Sequence, residues 1–184
     1  MASHTSRPAP APTQTAVLVL VPEAEPVVAQ HRCHLDGAAG WGLPAHVTVL
    51  YPFVEPEQVG AQVLKRLAAA VSTVPAFDVA FRRTAWSSDD VLWLAPDPAG
   101  PFRDLTAAVV AAVPTHPPYA GAYDGSTPHL TVGDRRLADA AALQRAERDV
   151  SASLPLHARV DCIYLFAGAD APDSWSVLHE APLS

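Results

Sequence analysis

The 184-residue sequence predicts a mixed helix-and-strand domain folded from a duplicated unit. Three observations carry that expectation. Short β-branched apolar runs alternate with stretches of helical spacing. The order strand, helix, strand, helix, strand occurs twice. Each copy carries the same tripeptide pattern, His-x-Thr, at its second strand: His46-Val47-Thr48 and His129-Leu130-Thr131.

The two units can be followed element by element. Thr15–Pro22 (TAVLVLVP) and Asp90–Pro96 (DVLWLAP) are apolar, rich in β-branched or bulky residues and ended by proline, which reads as a buried opening strand. A helix follows each. The first runs from about Glu25 to Leu35. The second begins at Pro101, a residue suited to a first helical turn, with Phe102, Leu105, Val109 and Val113 on one stripe. Next come the H-x-T strands, His46–Leu50 and His129–Val132. Val59, Val63, Leu67 and Val71 mark a further helix in the first unit, and Asp139–Ser151 a more polar one in the second. Pro75–Trp86 and Pro155–Phe166 read as long strands, and Trp175–His179 as a closing one. The interval before the second H-x-T is longer by a Pro-, Gly- and Tyr-containing segment, Pro114–Thr127, which reads as a loop of functional length. Residues 1–14 (MASHTSRPAPAPTQ) read as a flexible tail without a signal-peptide core, and 15–184 as one domain with repeats at about 15–86 and 90–180.

Composition narrows the chemistry. An apolar fraction of 49% supports a core, and no apolar run is long enough to cross a membrane. Two cysteines, Cys33 and Cys162, imply no disulfide framework, and a reducing cytoplasmic setting is the simpler expectation. A net charge of −7, with twelve Lys and Arg, disfavours holding long nucleic acid by its backbone. A small nucleotide or an RNA end fits better, handled by a monomer. There is no G-x-x-x-x-G-K-[ST], G-x-G-x-x-G or G-x-S-x-G motif, which argues against a nucleoside triphosphatase, a dinucleotide oxidoreductase and an α/β-hydrolase.

The H-x-T pairs carry the strongest chemical signal. Residues i and i+2 of a strand share a face, so His46 lies with Thr48 and His129 with Thr131. If the two units pack about a pseudo-two-fold axis, both pairs line one cleft. Displacement at phosphorus needs a base for the attacking oxygen and an acid for the leaving oxygen. Histidine serves in either role near neutral pH. Threonine hydroxyls donate to the non-bridging oxygens as charge builds. With both proton transfers covered, no metal is needed.

The stretches PAHVTVLYPF and TPHLTVGD resemble the two-histidine (2H) phosphoesterases, the superfamily of 2′-5′ RNA ligase-like proteins and cyclic nucleotide phosphodiesterases. The resemblance covers about Thr15 to Leu183. It implies a bilobal α+β fold, with two antiparallel sheets flanking a central cleft and helices outside. It implies hydrolysis or transesterification of 2′,3′-cyclic phosphates, 2′-5′ linkages or related esters, without a cofactor. It also implies His46 and His129 as catalytic residues, with Thr48 and Thr131 binding phosphate. The choice of base and acid leans to His129 as base and His46 as acid. A binding module using the same cleft without turnover is the rival reading, and a non-nucleotide ester the rival substrate.

Secondary candidates for substrate contact are Tyr51 and Phe53 after the first motif, Tyr123 in the long loop, and Arg135 after the second motif, with core packing the favoured role for Phe53. Of Arg82 and Arg83, adjacent on a strand, at most one faces the groove. Trp86 and Trp93 read as core. His31, Cys33 and His34 lack a second ligand group at zinc-site spacing, so no metal site is expected.

Overall fold

The computed structural model describes residues 10–113 and 127–184. In chain order the elements are β1 (Gln14–Leu20), α1 (Glu25–Leu35), α2 (Gly37–Gly40), β2 (His46–Leu50), α3 (Ala61–Val71), β3 (Phe77–Ser87), β4 (Val91–Asp97), α4 (Gly100–Ala112), β5 (Leu130–Asp134), α5 (Ala140–Ser151), β6 (Leu156–Val160), β7 (Cys162–Gly168) and β8 (Ser176–Pro182). The apolar stripes end as expected: Phe102, Leu105 and Val109 of α4, and Leu143, Ala146 and Val150 of α5, are buried. Asp139 caps α5 by accepting from the Ala142 N–H at 2.7 Å. Gln14, the last residue assigned to the expected tail, is the first of β1. The segment Pro155–Phe166 is two strands rather than one. β6 ends at Val160 and β7 starts at Cys162, and the two lie at different places in the sheet. Tyr123, with the long loop that carries it, lies outside the described residues.

Where two sheets are expected, the strands form one curled antiparallel sheet in the order β6-β3-β4-β5-β2-β1-β7-β8. The junction is narrow. β2 meets β5 antiparallel at a single matched pair, Val47 and Leu130. That contact joins two four-stranded halves, since bringing the two H-x-T strands together leaves neither as an unpaired edge. Strands also cross between the two halves of the sequence. β3, from the first repeat, pairs with β4 of the second, and β7 pairs with β1 of the first.

The helices α1, α3, α4 and α5 pack on one face. The main core joins Val28 and Leu35 of α1, Leu67 and Val71 of α3, Phe102, Leu105 and Val109 of α4, and Leu143 and Val150 of α5 to Val17, Val19, Val47, Leu92, Leu94, Leu130 and Val132 of the strands. Each of these large side chains contributes about 1.5–3 kcal/mol by leaving water. Helices also exchange between the halves: α1 packs against β5, and α4 against β2. The Thr106 hydroxyl of α4 donates to the Val49 carbonyl at 3.1 Å. A smaller cluster, with Leu18, Leu43, Phe166 and Trp175 at its centre, covers part of the opposite face.

Both H-x-T strands carry a bulge at the same place. Thr48 pairs with Leu18, but the next β1 residue, Val17, pairs with Leu50, so Val49 is extra. Thr131 pairs with Trp93, and the next β4 residue, Leu92, pairs with Gly133, so Val132 is extra. After the second bulge Gly133 turns toward the helices. A Cβ there would lie 2.6 Å from Leu143 Cδ2 and 2.8 Å from Leu35 Cβ. Glycine at 133 thus lets α1 and α5 close over β5. We expect Gly133→Ala to destabilise the fold by about 1–3 kcal/mol through overpacking. Gly100→Ala, where a Cβ meets nothing within 4 Å, should leave stability unchanged or slightly higher. Denaturant unfolding of both variants checks this.

Candidate active site

The seam between the halves sets the geometry of the two H-x-T motifs. With Val47 opposite Leu130 in an antiparallel pair, Thr131 comes opposite His46, and His129 comes opposite Thr48. Val47 and Leu130 are fully buried toward the helices. Their neighbours along each strand therefore point to the other, open face. All four H-x-T polar residues are half-buried there. The two histidines are diagonal across the seam, a relation that puts residues roughly 7–8 Å apart with their Cβ atoms somewhat closer.

The imidazoles are held alike. His46 Nδ1 bonds the Pro44 carbonyl at 2.7 Å, and His129 Nδ1 bonds the Thr127 carbonyl at 2.8 Å. A carbonyl oxygen only accepts, so each Nδ1 carries the proton and each neutral ring keeps Nε2 as the free basic atom. The rings differ in surroundings. The His129 ring lies 5.7 Å from that of Trp93, tilted by 58°. Trp93 is the cross-strand partner of Thr131, and its Nε1 donates to Ser87 Oγ at 3.0 Å. It belongs to the open face and packs against a candidate catalytic ring, a role beyond core filling.

His46 is held neutral. Its pKa is lowered from 6.5 to about 4, chiefly by burial, then by the Arg32 guanidinium and by the His129 ring; the Pro44 carbonyl and Asp36 pull the other way. Arg32 was not legible as a site residue beside His31 and Cys33. It is buried, and its Nε donates to Asp36 Oδ2 at 2.9 Å. The sequence signal was an Arg and an Asp four apart on one helix.

The remaining candidates separate. The bulge at Val49 shifts the alternation by one residue, so Leu50 faces the core and Tyr51 the open face. Tyr51 donates to Gln14 Oε1, and its ring lies 6.3 Å from that of Trp175. Burial and Asp170 raise its hydroxyl pKa, keeping it protonated. Phe53 is 2% exposed inside the main core and has no surface to offer a substrate, which corrects that expectation. The matching bulge turns Asp134, not Arg135, onto the open face. Asp134 accepts from the N–H of Arg136 at 2.8 Å and from its Nε at 2.9 Å. These bonds hold the Asp134 carboxyl below the usual range. Arg136, though exposed, is therefore the cation oriented after the second motif, while Arg135, also exposed, bonds the Asp90 carbonyl through its backbone N–H at 2.8 Å. Arg82 pairs with Asp97 at 3.2 Å, on the face that β4 alternation shares with Trp93.

Among the described residues no group of three or more His, Cys, Asp or Glu could hold a metal ion. His31 faces Asp149 at 3.8 Å. Cys33 is exposed and Cys162 buried, both as free thiols. Cys162 lines a cavity of about 450 Å³ with Leu20, Pro44 and Tyr164, next to the cross-strand partner of His46. Burial and Glu180 push its thiol up to about 12, so it is no nucleophile.

Solved structures share this fold. TT0787 of Thermus thermophilus superposes with a TM-score of 0.66 at 17% identity, covering 92% of this chain and 97% of that one. E. coli LigT complexed with 3′-AMP gives 0.60 at 17% identity, over 95% of this chain and 99% of that one. E. coli LigT complexed with NADP+ gives 0.56 at 16% identity, over 94% and 98%. No curated relative matches by sequence. The family model for the 2′-5′ RNA ligase superfamily matches residues 20–171, most of the chain including both H-x-T motifs, and the chain belongs to that superfamily.

Proposed function

We propose that the protein is a metal-independent phosphoesterase that opens or transfers 2′,3′-cyclic phosphates or 2′-5′ phosphodiesters of small nucleotides or RNA ends. The observation that carries this reading is the seam register, which sets two histidines diagonally on one face with each opposite the other motif's threonine. The reading treats the two halves as related by a pseudo-two-fold axis through the Val47–Leu130 pair. It takes the protein to work as a cytoplasmic monomer, with residues 15–184 as one functional unit.

Both Nε2 atoms flank the phosphorus in this scheme. His46, neutral in the free protein, takes the proton from the attacking oxygen, and His129 delivers one to the leaving oxygen. This reverses the assignment the sequence leans to, because a ring held neutral by burial is poised as a base. Thr48 and Thr131 donate to the non-bridging oxygens. Tyr51, braced by Trp175, offers ring surface for a base, and Arg136 a cation beyond the second motif. LigT structures complexed with 3′-AMP and NADP+ support a small nucleotide ligand in such a fold.

The test is turnover of 2′,3′-cyclic mononucleotides and 2′-5′ dinucleotides. Full activity in EDTA is expected. His46→Ala and His129→Ala should each lower kcat by about 10²–10⁴-fold with the fold intact. Saturable binding without product in the wild type would replace the enzyme with a binding module. The pH profile follows from His46. Its base form is lost only when the ring protonates, so the acid limb of kcat/KM should fall near pH 4 rather than near 6.5. A limb near 6.5 would assign the base elsewhere.

A further inference from the structure

We infer that Arg32, on α1, is a positioning residue for His46, acting through the backbone segment Leu43–Ala45. This rests on the proposed role of His46 and adds a residue to it. Arg32 Nη2 donates to the Leu43 carbonyl at 3.3 Å, while its Nε is anchored on Asp36. One residue further on, the Pro44 carbonyl accepts the His46 Nδ1 proton. Next, the Ala45 N–H donates to Glu25 Oε1 at 2.6 Å, and the Ala45 carbonyl accepts from Val21 N–H at 2.9 Å. Arg32 and Glu25 are seven residues apart, hence on one side of α1. They grip the strand approach on either side of the carbonyl that orients the imidazole.

The grip matters because Pro44 has no N–H of its own and must be fixed through its neighbours. Asp36 has a second task. Its Oδ1 accepts from Ala38 N–H at 3.0 Å and caps α2, so the ion pair also ties the turn after α1 to the His46 segment. The charged groups that bear on His46 are Arg32 and Asp36 from α1 and its C-cap, and His129 across the seam. Of these, Arg32 alone touches both the backbone before His46 and a buried counter-ion. Geometry and charge thus coincide in one side chain: it holds the Leu43 carbonyl, one residue before the Pro44 carbonyl that accepts from the ring, and opposes a positive charge on the ring itself.

The experiment is NMR of the full chain with 15N-labelled histidine, which reads His46 without any substrate. In wild type the Nδ1–H tautomer and a titration midpoint near 4 are expected. In Arg32→Met the midpoint should rise by a unit or more toward 6.5, and the Nδ1–H should exchange at least tenfold faster. Arg32→Lys keeps the charge but loses the two-pronged grip, so its midpoint should stay low while Nδ1–H protection falls. Breaking a buried pair risks unfolding. Arg32→Met combined with Asp36→Leu then replaces the pair by apolar groups, and loss of Nδ1–H protection is again expected. A folded variant with wild-type tautomer, protection and midpoint overturns the inference. Because none of these readouts is turnover, a failure of the enzyme assignment would leave the result interpretable. Where turnover is measured, Arg32→Lys should lower kcat at least tenfold with KM changed by less than about threefold.

Discussion

The site depends on one rung of the sheet, where Val47 of β2 lies against Leu130 of β5. Because side chains alternate, burying that pair against the helices forces His46, Thr48, His129 and Thr131 to the other side. Because the strands run antiparallel, it also crosses the motifs, histidine against threonine in both directions. A shift of one residue in this register would turn one motif into the core. The helices resist it. α1 packs on β5 and α4 on β2, so each repeat covers the strand of the other, and Gly133 and Thr106 lock each cover onto the strand it overlies. The seam that positions the chemistry is thus held from behind by an exchange of helices.

The likeness of the two bulged strands does not extend to the environments of the two rings. His46 is backed by a buried ion pair and a clamped approach segment, and burial keeps it neutral. His129 lies beside the tilted ring of Trp93 on the other half. Two like strands thus place their histidines in unlike surroundings.

Much of this was legible in the sequence. The boundaries of α1 and β2 follow from apolar spacing and proline punctuation, and the four H-x-T residues from their repetition. Three things were not. The division of Pro155–Phe166 at Asp161 is a crossing between distant strands, and no local pattern announces it. The bulges at Val49 and Val132 break the alternation on which side-chain facing was judged. They bring Tyr51 and Asp134 to the open face, and the oriented cation becomes Arg136 rather than Arg135. Arg32 was hidden because its importance lies in burial and in carbonyls eleven residues away, neither of which periodicity reports.

The most direct measurement of the central claim is a crystal structure grown with phosphate or vanadate. The account predicts one anion on the seam, its central atom between His46 Nε2 and His129 Nε2, with the Thr48 and Thr131 hydroxyls donating to its oxygens. An anion bound elsewhere with the two rings turned apart, or a seam paired in another register, would contradict it.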